Sequence, residues 1–213
     1  MLVLAGLLLV GCHLSAQTHQ YVDLGLPSGT LWATCNVGAN KPEDYGNYYA
    51  WGETTTKSDY SWKTYKYCKG DGEKLTKYNV NSKYGFRRFA DGLTTLLPSD
   101  DAATANWGSR WCMPTEAQWE ELEKYTRATW TTRNGVNGML FTASNGNSIF
   151  LPACGRRMDG ELDGAGGAGF YWSSSLNTNY PNDVWIFCFD SYGCSTTYYW
   201  RDQGRSVRPV LKK

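Results

Sequence analysis

Histidine is nearly missing from this chain. His13 and His19 are the only two in 213 residues, and both lie near the start. A Ser-His-Asp or Cys-His set would have to take its base from that terminal stretch, so neither is expected. The serine run Ser173–Ser175 has no partner base and reads as strand polarity. Cysteine is present, but none of the seven forms a C-x-x-C pair, so with so little histidine no structural zinc site is expected. Neither charge sign is in excess: 21 Lys and Arg face 20 Asp and Glu, for a net +1. Global electrostatics therefore favours neither nucleic acid nor an anionic membrane. The glycine-rich stretch "DGAGGAG" at 163–169 lacks the strand-then-helix setting of a phosphate loop. No glycosidase-like carboxylate pair announces itself.

Aromatics are abundant, with 10 Trp and 15 Tyr, alongside 23 Gly. The length suits one domain with a proper core. Few segments read as helix, so a loop-rich α+β fold rigidified by aromatic packing is expected. The opening "MLVLAGLLLVGCHLSAQ" has an apolar run the length of a signal-peptide core and too short to span a bilayer. Two endings compete, and a plain buried N-terminal helix is the remaining reading. Small residues Ser15 and Ala16 suit cleavage after residue 16, and "LVGC" resembles a lipoprotein box that would acylate Cys12. Either implies export to the cell surface or beyond, with residues 17–213 as a single mature domain. A lipid on Cys12 is the only membrane contact expected. Without Cys12, six cysteines remain, and their 15 pairings stay open, as does the choice between buried thiols and one or two disulfides.

Along the chain, "QYVDLGLPSGTLWATC" reads as a short opening hairpin around a "PSG" turn. "EDYGNYYAWGET" reads as packed irregular structure. Residues 57–90 interleave basic and aromatic side chains. That pattern can hold single-stranded nucleic acid, but in a neutral chain it reads as a solvated surface insertion. "PSDDAATANW" predicts a helix capped by Ser99, with Asp100 and Asp101 in its first turn. "MPTEAQWEELEKY" predicts a second, with a Thr115/Gln118 capping box. Its apolar stripe is Trp119, Leu122 and Tyr125, with Ala117 nearby, and Glu120, Glu121 and Glu123 face water. "MLFT", "ASNG" and "NSIFLPA" predict a hairpin. "FYWSSSL" and "SVRPVLKK" read as further strands.

The stretch "DVWIFCFD" at 183–190 reads as a strand with one core face and a second that mixes apolar, thiol and acid. Alternation places Trp185, Phe187 and Phe189 on one side as core. Ile186, Cys188 and Asp190 fall on the other, which reads as displayed.

The segments "YVDLGLPSGTLWATCNVGA", "DYGNYYAWGET", "DDAATANWGSRWCMPTEAQWEEL", "NGNSIFLPACGRR", "YWSSS" and "SVRPV" together resemble the Fibrobacter succinogenes major paralogous domain family. They cover nearly the whole mature chain in the family's order. The resemblance implies a C-type-lectin-like fold of the type shared with formylglycine-generating enzymes: a small mixed sheet, two helices and a loop-rich ligand face. The C-terminal "YWSSSLNTNYPNDVWIFCFDSYGCSTTYYWRDQGRSVRPV" resembles variable proteins of diversity-generating retroelements. Randomised adenines in an asparagine codon yield Asn, Asp, Tyr, Ser, Thr, Ile, Cys and Gly, but not Trp, Lys, Gln, Glu or Met. That alphabet fits Tyr180, Asp183, Ile186, Cys188, Asp190, Tyr192, Thr197, Tyr198, Tyr199 and Asp202.

The resemblance implies a non-catalytic protein. A binding face at about 177–203, including Asn182 with the residues just named, would take a protein or glycan on a cell, host or phage surface. Tyrosine and small polar residues supply such contacts at low entropic cost, and Tyr199 or Trp200 can stack on a sugar ring. A non-diversified adhesin or structural module is the first alternative. The second is a thiol oxidase like the formylglycine-generating enzymes, using Cys188 and Cys194. Their neighbours Phe187, Phe189, Asp190 and Tyr192 raise a thiol pKa rather than lower it. A Cys188–Cys194 disulfide stapling the hairpin is the stronger expectation. "YPNDVW" holds Pro, Asn and Asp in the wrong order for a calcium-dependent lectin site, and three oxygen ligands are too few for calcium. No metal or cofactor is expected.

Overall fold

The computed structural model describes residues 19–211. The expected leader, with its alternative endings at Ala16 and Cys12, lies outside them. The fold is α+β, with most regular residues in small sheets. A four-stranded sheet has the order β1 (Tyr21–Asp23), β2 (Leu31–Ala33), β12 (Val210–Leu211), β3 (Trp111–Cys112). The first and last strands of the described chain thus share one sheet. A second sheet joins β4 (Thr126–Arg133), β5 (Val136–Ala143) and β6 (Ser148–Pro152). A third joins β9 (Ala168–Leu176), β10 (Asp183–Asp190) and β11 (Gly193–Trp200). A ribbon of β7 (Arg156–Met158) and β8 (Glu161–Asp163) completes the set. Every named strand pair is antiparallel, so a mixed sheet is corrected to antiparallel ones.

Two helices are described: α1 (Ala102–Trp107) and α2 (Glu116–Tyr125). The cap of α1 is Asp101, not Ser99, because Pro98–Asp100 form a 3-10 turn and delay the helix. The Asp101 carboxylate accepts the Thr104 N–H at 3.0 Å. In α2 the expected capping box is present, with Thr115 and Gln118 each bonded to the other's backbone. Trp119 and Leu122 are fully buried, while Tyr125 and Ala117 are exposed at the edge of that stripe. Glu120 faces water, but Glu121 does not simply do so. Its carboxylate accepts from the Ser28 N–H at 2.6 Å and the Ser28 hydroxyl at 2.5 Å, which ties α2 to the opening hairpin.

The β9–β10–β11 sheet has a core on each side, which explains the apolar residues on both faces of "DVWIFCFD". On one side Val184 and Ile186 join Trp172, Trp51 and Tyr49. On the other, Phe187 and Phe189 join Trp119, Tyr171 and Phe141. Trp119 lies flat on Phe187, ring centroids 4.7 Å apart at 1°. Gly169 faces Phe189 across the sheet, and a Cβ there would come within 2.2 Å of the Phe189 ring. Only glycine leaves room for that ring. Burying each of these large side chains contributes about 1.5–3 kcal/mol.

Residues 57–80 are not a solvated insertion, although 81–90 stay at or near the surface. Tyr60, Tyr65, Tyr67, Leu75 and Tyr78 are buried in the core. Their hydroxyls find internal partners: Tyr60 donates to the Tyr48 carbonyl at 2.6 Å, Tyr65 to the Trp51 carbonyl at 2.7 Å. Tyr67 and Tyr78 donate to the buried Asp100 carboxylate, which also pairs with Lys77. Tyrosine enters a core when its O–H is satisfied, so interleaved lysines masked a core segment.

The tail 201–211 is buried throughout. Arg208 is fully buried. It donates to the Asn36 side chain, to the carbonyls of Ala33 and Thr34, and to that of Phe150, at 2.8 to 3.0 Å. Charge-assisted bonds of this kind contribute about 1.5–3 kcal/mol each, and a lost partner leaves buried carbonyls bare. An ammonium cannot span the four acceptors. Arg208→Lys is therefore expected to cost about 2–4 kcal/mol, against about 1 kcal/mol for Thr115→Ala at the α2 cap. Urea unfolding midpoints of the two variants check that order.

Candidate functional site

The register of β10 on β11 decides which expected site residues meet. Ile186 faces Thr197, Val184 faces Tyr199, and Cys188 faces Ser195. Trp185 faces Tyr198, and Phe189 faces Cys194. Alternation puts Thr197 and Tyr199 on one face of the sheet and Tyr198 on the other. The expected patch is therefore two half-patches meeting at the exposed edge of β11.

Several expectations are corrected. Ile186 is fully buried among Trp172 and Val184 and is not displayed. Asp202 is buried too, because Arg201 draws the chain inward after Trp200. The Arg201 guanidinium bonds to the carbonyls of Lys77, Tyr78 and Pro181 at 2.6 to 2.9 Å and to the Tyr65 hydroxyl at 2.9 Å. Trp185 is only half-buried and packs edge-on against Tyr198 at 5.5 Å. The remaining expected residues reach the surface in part or in full. Tyr180, Tyr198 and Tyr199 are 48%, 42% and 41% exposed, with Trp200 at 51%. Tyr192 stands almost free at the hairpin tip, where the exposed Asp190 accepts the Tyr192 N–H at 2.8 Å. Asn182, Asp183, Cys188 and Thr197 are half-buried.

No Cys188–Cys194 disulfide forms. Cys188 and Cys194 are both free thiols, and the register sends their side chains to opposite faces. Burial raises both thiol pKa values, that of Cys194 to about 11 with Glu123 adding to it. Neither is primed as a thiolate nucleophile.

A cleft of about 400 Å³ opens where β10 begins and β11 ends. Tyr198, Tyr199 and Trp200 form its aromatic side, and Arg156, Met158, Asp183 and Gln203 the rest. Beneath it Arg205 lies 4.3 Å over the Trp172 ring and 5.3 Å from Tyr199, which also carries Arg156 at 5.5 Å. Around this floor four buried polar atoms have no hydrogen-bond partner: Asn182 Oδ1, Asp183 Oδ1, Asp202 Oδ1 and Arg205 Nε. Arg156, Gln203 and Arg205 escaped the sequence reading, although "CGRR" and "SVRPV" contain or adjoin two of them. Nothing local marks an arginine as buried without a carboxylate partner.

Besides an open hollow of about 580 Å³ by Lys124 and Arg127, two further hollows lie apart. One of about 340 Å³ sits by the hairpin tip, between Phe170, Cys188, Tyr192 and Ser195. The other, about 440 Å³, lies at the start of the described chain, where His19 stacks on Trp107 at 3.7 Å beside Cys35 and Arg133. Among the described residues no group of three His, Cys, Asp or Glu is placed to hold a metal ion, and no helix is long and apolar enough to cross a membrane. Comparisons with known protein families, curated proteins and solved structures find no match for the chain.

The cleft carboxyls set a pH dependence. Burial raises Asp183 to about 6 and Asp202 to about 7, with Arg205 opposing both. Asp159 adds to the rise at Asp202, and Lys57 opposes it. A folded pKa above the unfolded value near 3.9 means folding favours the neutral acid. The resulting destabilisation is full above about pH 7 and fades as pH falls toward 4. His19 works in the opposite sense below its ordinary range, since burial lowers its pKa. Asp202→Asn separates the two. It is expected to raise the melting temperature at pH 8 and to leave it nearly unchanged at pH 4.5, as read by thermal unfolding at both pH values.

Proposed function

We propose that this is an exported, non-catalytic binding protein of C-type-lectin-like architecture, whose C-terminal face takes a protein or glycan ligand. The observation that carries the reading is the aromatic cluster Tyr180, Tyr198, Tyr199 and Trp200. These large side chains are 41–51% exposed, yet they stand on or beside a sheet locked by a core on each side. Exposed aromatics on a rigid support offer contact area at little ordering cost. Tyr180 stacks on Tyr198 at 6.1 Å, and Arg156 and Arg205 flank Tyr199, so the rings are held before a ligand arrives. The cleft adds an acid, an amide and an arginine beside these rings, a mixture suited to polar groups on a ligand. The raised thiol pKa values favour binding over thiol oxidation.

A protein spanning residues 17–213 is expected to bind components of a glycan and surface-protein array. Tyr198→Ala with Tyr199→Ala is expected to weaken that binding by roughly tenfold or more while far-UV circular dichroism and melting temperature hold. Binding that survives in the folded double variant would move the site away from this face, to the hollow by His19 and Trp107.

Diversification by a retroelement belongs to the same proposal, and the burial pattern sharpens it. Tyr180, Asp183, Asp190, Tyr192, Thr197, Tyr198 and Tyr199 have surface to vary, whereas Ile186 and Asp202 are locked inside. Sequencing the locus is expected to show a near-copy of the coding 3′ end beside a reverse transcriptase. Adenine-directed differences should fall on the first set of codons and spare those for Ile186 and Asp202. A locus without such a copy leaves binding without diversification.

A further inference from the structure

The two outer edges of the β9–β10–β11 sheet are treated very differently. The β9 edge is stitched closed by irregular segments. Trp172 N–H donates to the Ser206 carbonyl at 3.2 Å and Ser174 N–H to the Pro114 carbonyl at 2.8 Å. The Ser174 carbonyl accepts from Leu96 N–H at 3.1 Å, and Leu176 N–H donates to Thr94 at 2.8 Å. The β11 edge has nothing comparable among the described residues: β11 pairs with β10 alone, in unbroken register from Asp183↔Trp200 to Asp190↔Gly193. Every second N–H and C=O along this eight-residue strand thus faces outward, and of these the Trp200 carbonyl alone has a partner among the described residues, the Arg205 guanidinium at 3.1 Å. Exposed edges are ordinarily blunted by proline, lysine, a bulge or an overlying segment. "GCSTTYYW" carries no proline and no charge, and its pairing with β10 has no bulge.

What flanks this edge selects an occupant. Helix α2 packs against β11 on the face that carries Tyr198, Thr196 and Cys194. Glu116, Glu120 and Glu123 fall on one stripe of α2, at i, i+4 and i+7. None of the three has an ion pair among the described residues. They repel one another, since the Glu120 charge adds to burial in raising both Glu116 and Glu123, and the Glu123 charge is felt at the Cys194 thiol. The opposite face carries Thr197 and Tyr199 beneath Arg156. An incoming strand therefore meets the acidic stripe of α2 on one face, with Glu123 reaching Cys194, and the aromatic surface of Tyr199 on the other. A second copy of β11 brings no lysine or arginine to those glutamates, and a glycan brings no strand.

We propose that the outer edge of β11 docks an extended, basic segment of a protein partner, which joins the sheet as a fourth strand. The proposal rests on the binding role assigned to the C-terminal face and specifies how that face takes a protein. Main-chain hydrogen bonds would give the affinity, and alternate side chains the selectivity.

The test uses residues 17–213 with three blocked octapeptides. One alternates Lys and Thr, one alternates Glu and Thr, and one is the Lys–Thr peptide methylated on alternate backbone nitrogens. The Lys–Thr peptide is expected to bind roughly tenfold tighter than the Glu–Thr peptide and to slow amide exchange within residues 193–200. The methylated peptide is expected not to bind. Combined Glu116→Gln, Glu120→Gln and Glu123→Gln should bring the two charged peptides within about threefold of each other at unchanged melting temperature. Equal affinity for both charged peptides, undiminished binding of the methylated one, or protection outside β11 would overturn the proposal. So would a dimer by light scattering whose β11 amides are already protected.

Thr196→Pro and Thr197→Pro complete the test. One of these N–H groups faces β10 and the other faces outward, and proline at the outward one leaves the sheet intact. That folded variant is expected to lose the Lys–Thr peptide. If it retains the array binding that Tyr198→Ala with Tyr199→Ala abolishes, strand addition falls and the binding face stands. If array binding ignores both changes, the binding face itself falls.

Discussion

Three guanidinium groups without a carboxylate in ion-pairing distance hold the C-terminal segment inside the fold. Arg201, Arg205 and Arg208 are all fully buried and appear in no salt bridge among the described residues. A buried charge is costly unless its hydrogen bonds are met. Arg201 and Arg208 meet theirs mainly with backbone carbonyls from distant segments: Lys77, Tyr78 and Pro181 for one, Ala33, Thr34 and Phe150 for the other. Guanidinium, with five donors in a fixed plane, suits loops whose carbonyls have no strand or helix to satisfy them. In a chain with so many irregular connections, these side chains replace the missing backbone ladders. The same anchors fix where β11 ends and so where the cleft lies.

Local chemistry was legible in the sequence where it is self-contained. The Thr115/Gln118 capping box, the Met139–Pro152 hairpin and the opening hairpin depend on residues a few positions apart. The overlap of elements in space was not legible. Residues 57–90 read as surface because lysine dominates their composition, yet their tyrosines point inward while Lys66 and Lys77 cover the buried Asp100 from outside. The Ser99 cap failed for a similar reason. Pro98 favours the 3-10 turn ahead of the helix, and Asp101, which the Met113 N–H also reaches at 2.8 Å, became the cap.

The candidate site was half legible. Period-two alternation correctly separated Phe187 and Phe189 from Ile186 and Cys188, but alternation says nothing of what covers each face. A second core over Ile186 turned a displayed residue into a buried one, and the free end of the sheet left Trp185 half open. The tyrosines fared better, since Tyr180, Tyr192, Tyr198 and Tyr199 lie past the reach of both cores. Arg205 was the least legible, because its role depends on Trp172 and Tyr199 arriving from two other strands.

Arg205 also links scaffold to surface. Burial lowers its pKa to about 9, with the Arg156 charge adding to the effect. It stays charged at neutral pH beneath a cleft whose carboxyls, Asp183 and Asp202, are raised by the same burial. The cation and the acids influence one another without touching, and Arg205 Nε, Asp183 Oδ1 and Asp202 Oδ1 each lack a hydrogen-bond partner. Such a floor is electrostatically unfinished in a way that the fully bonded Arg208 site is not. The fold thus concentrates satisfied guanidinium chemistry where the tail must be held and unsatisfied chemistry under the aromatic face. That distribution suits a rigid support beneath the proposed binding face, since packing alone would favour satisfying both.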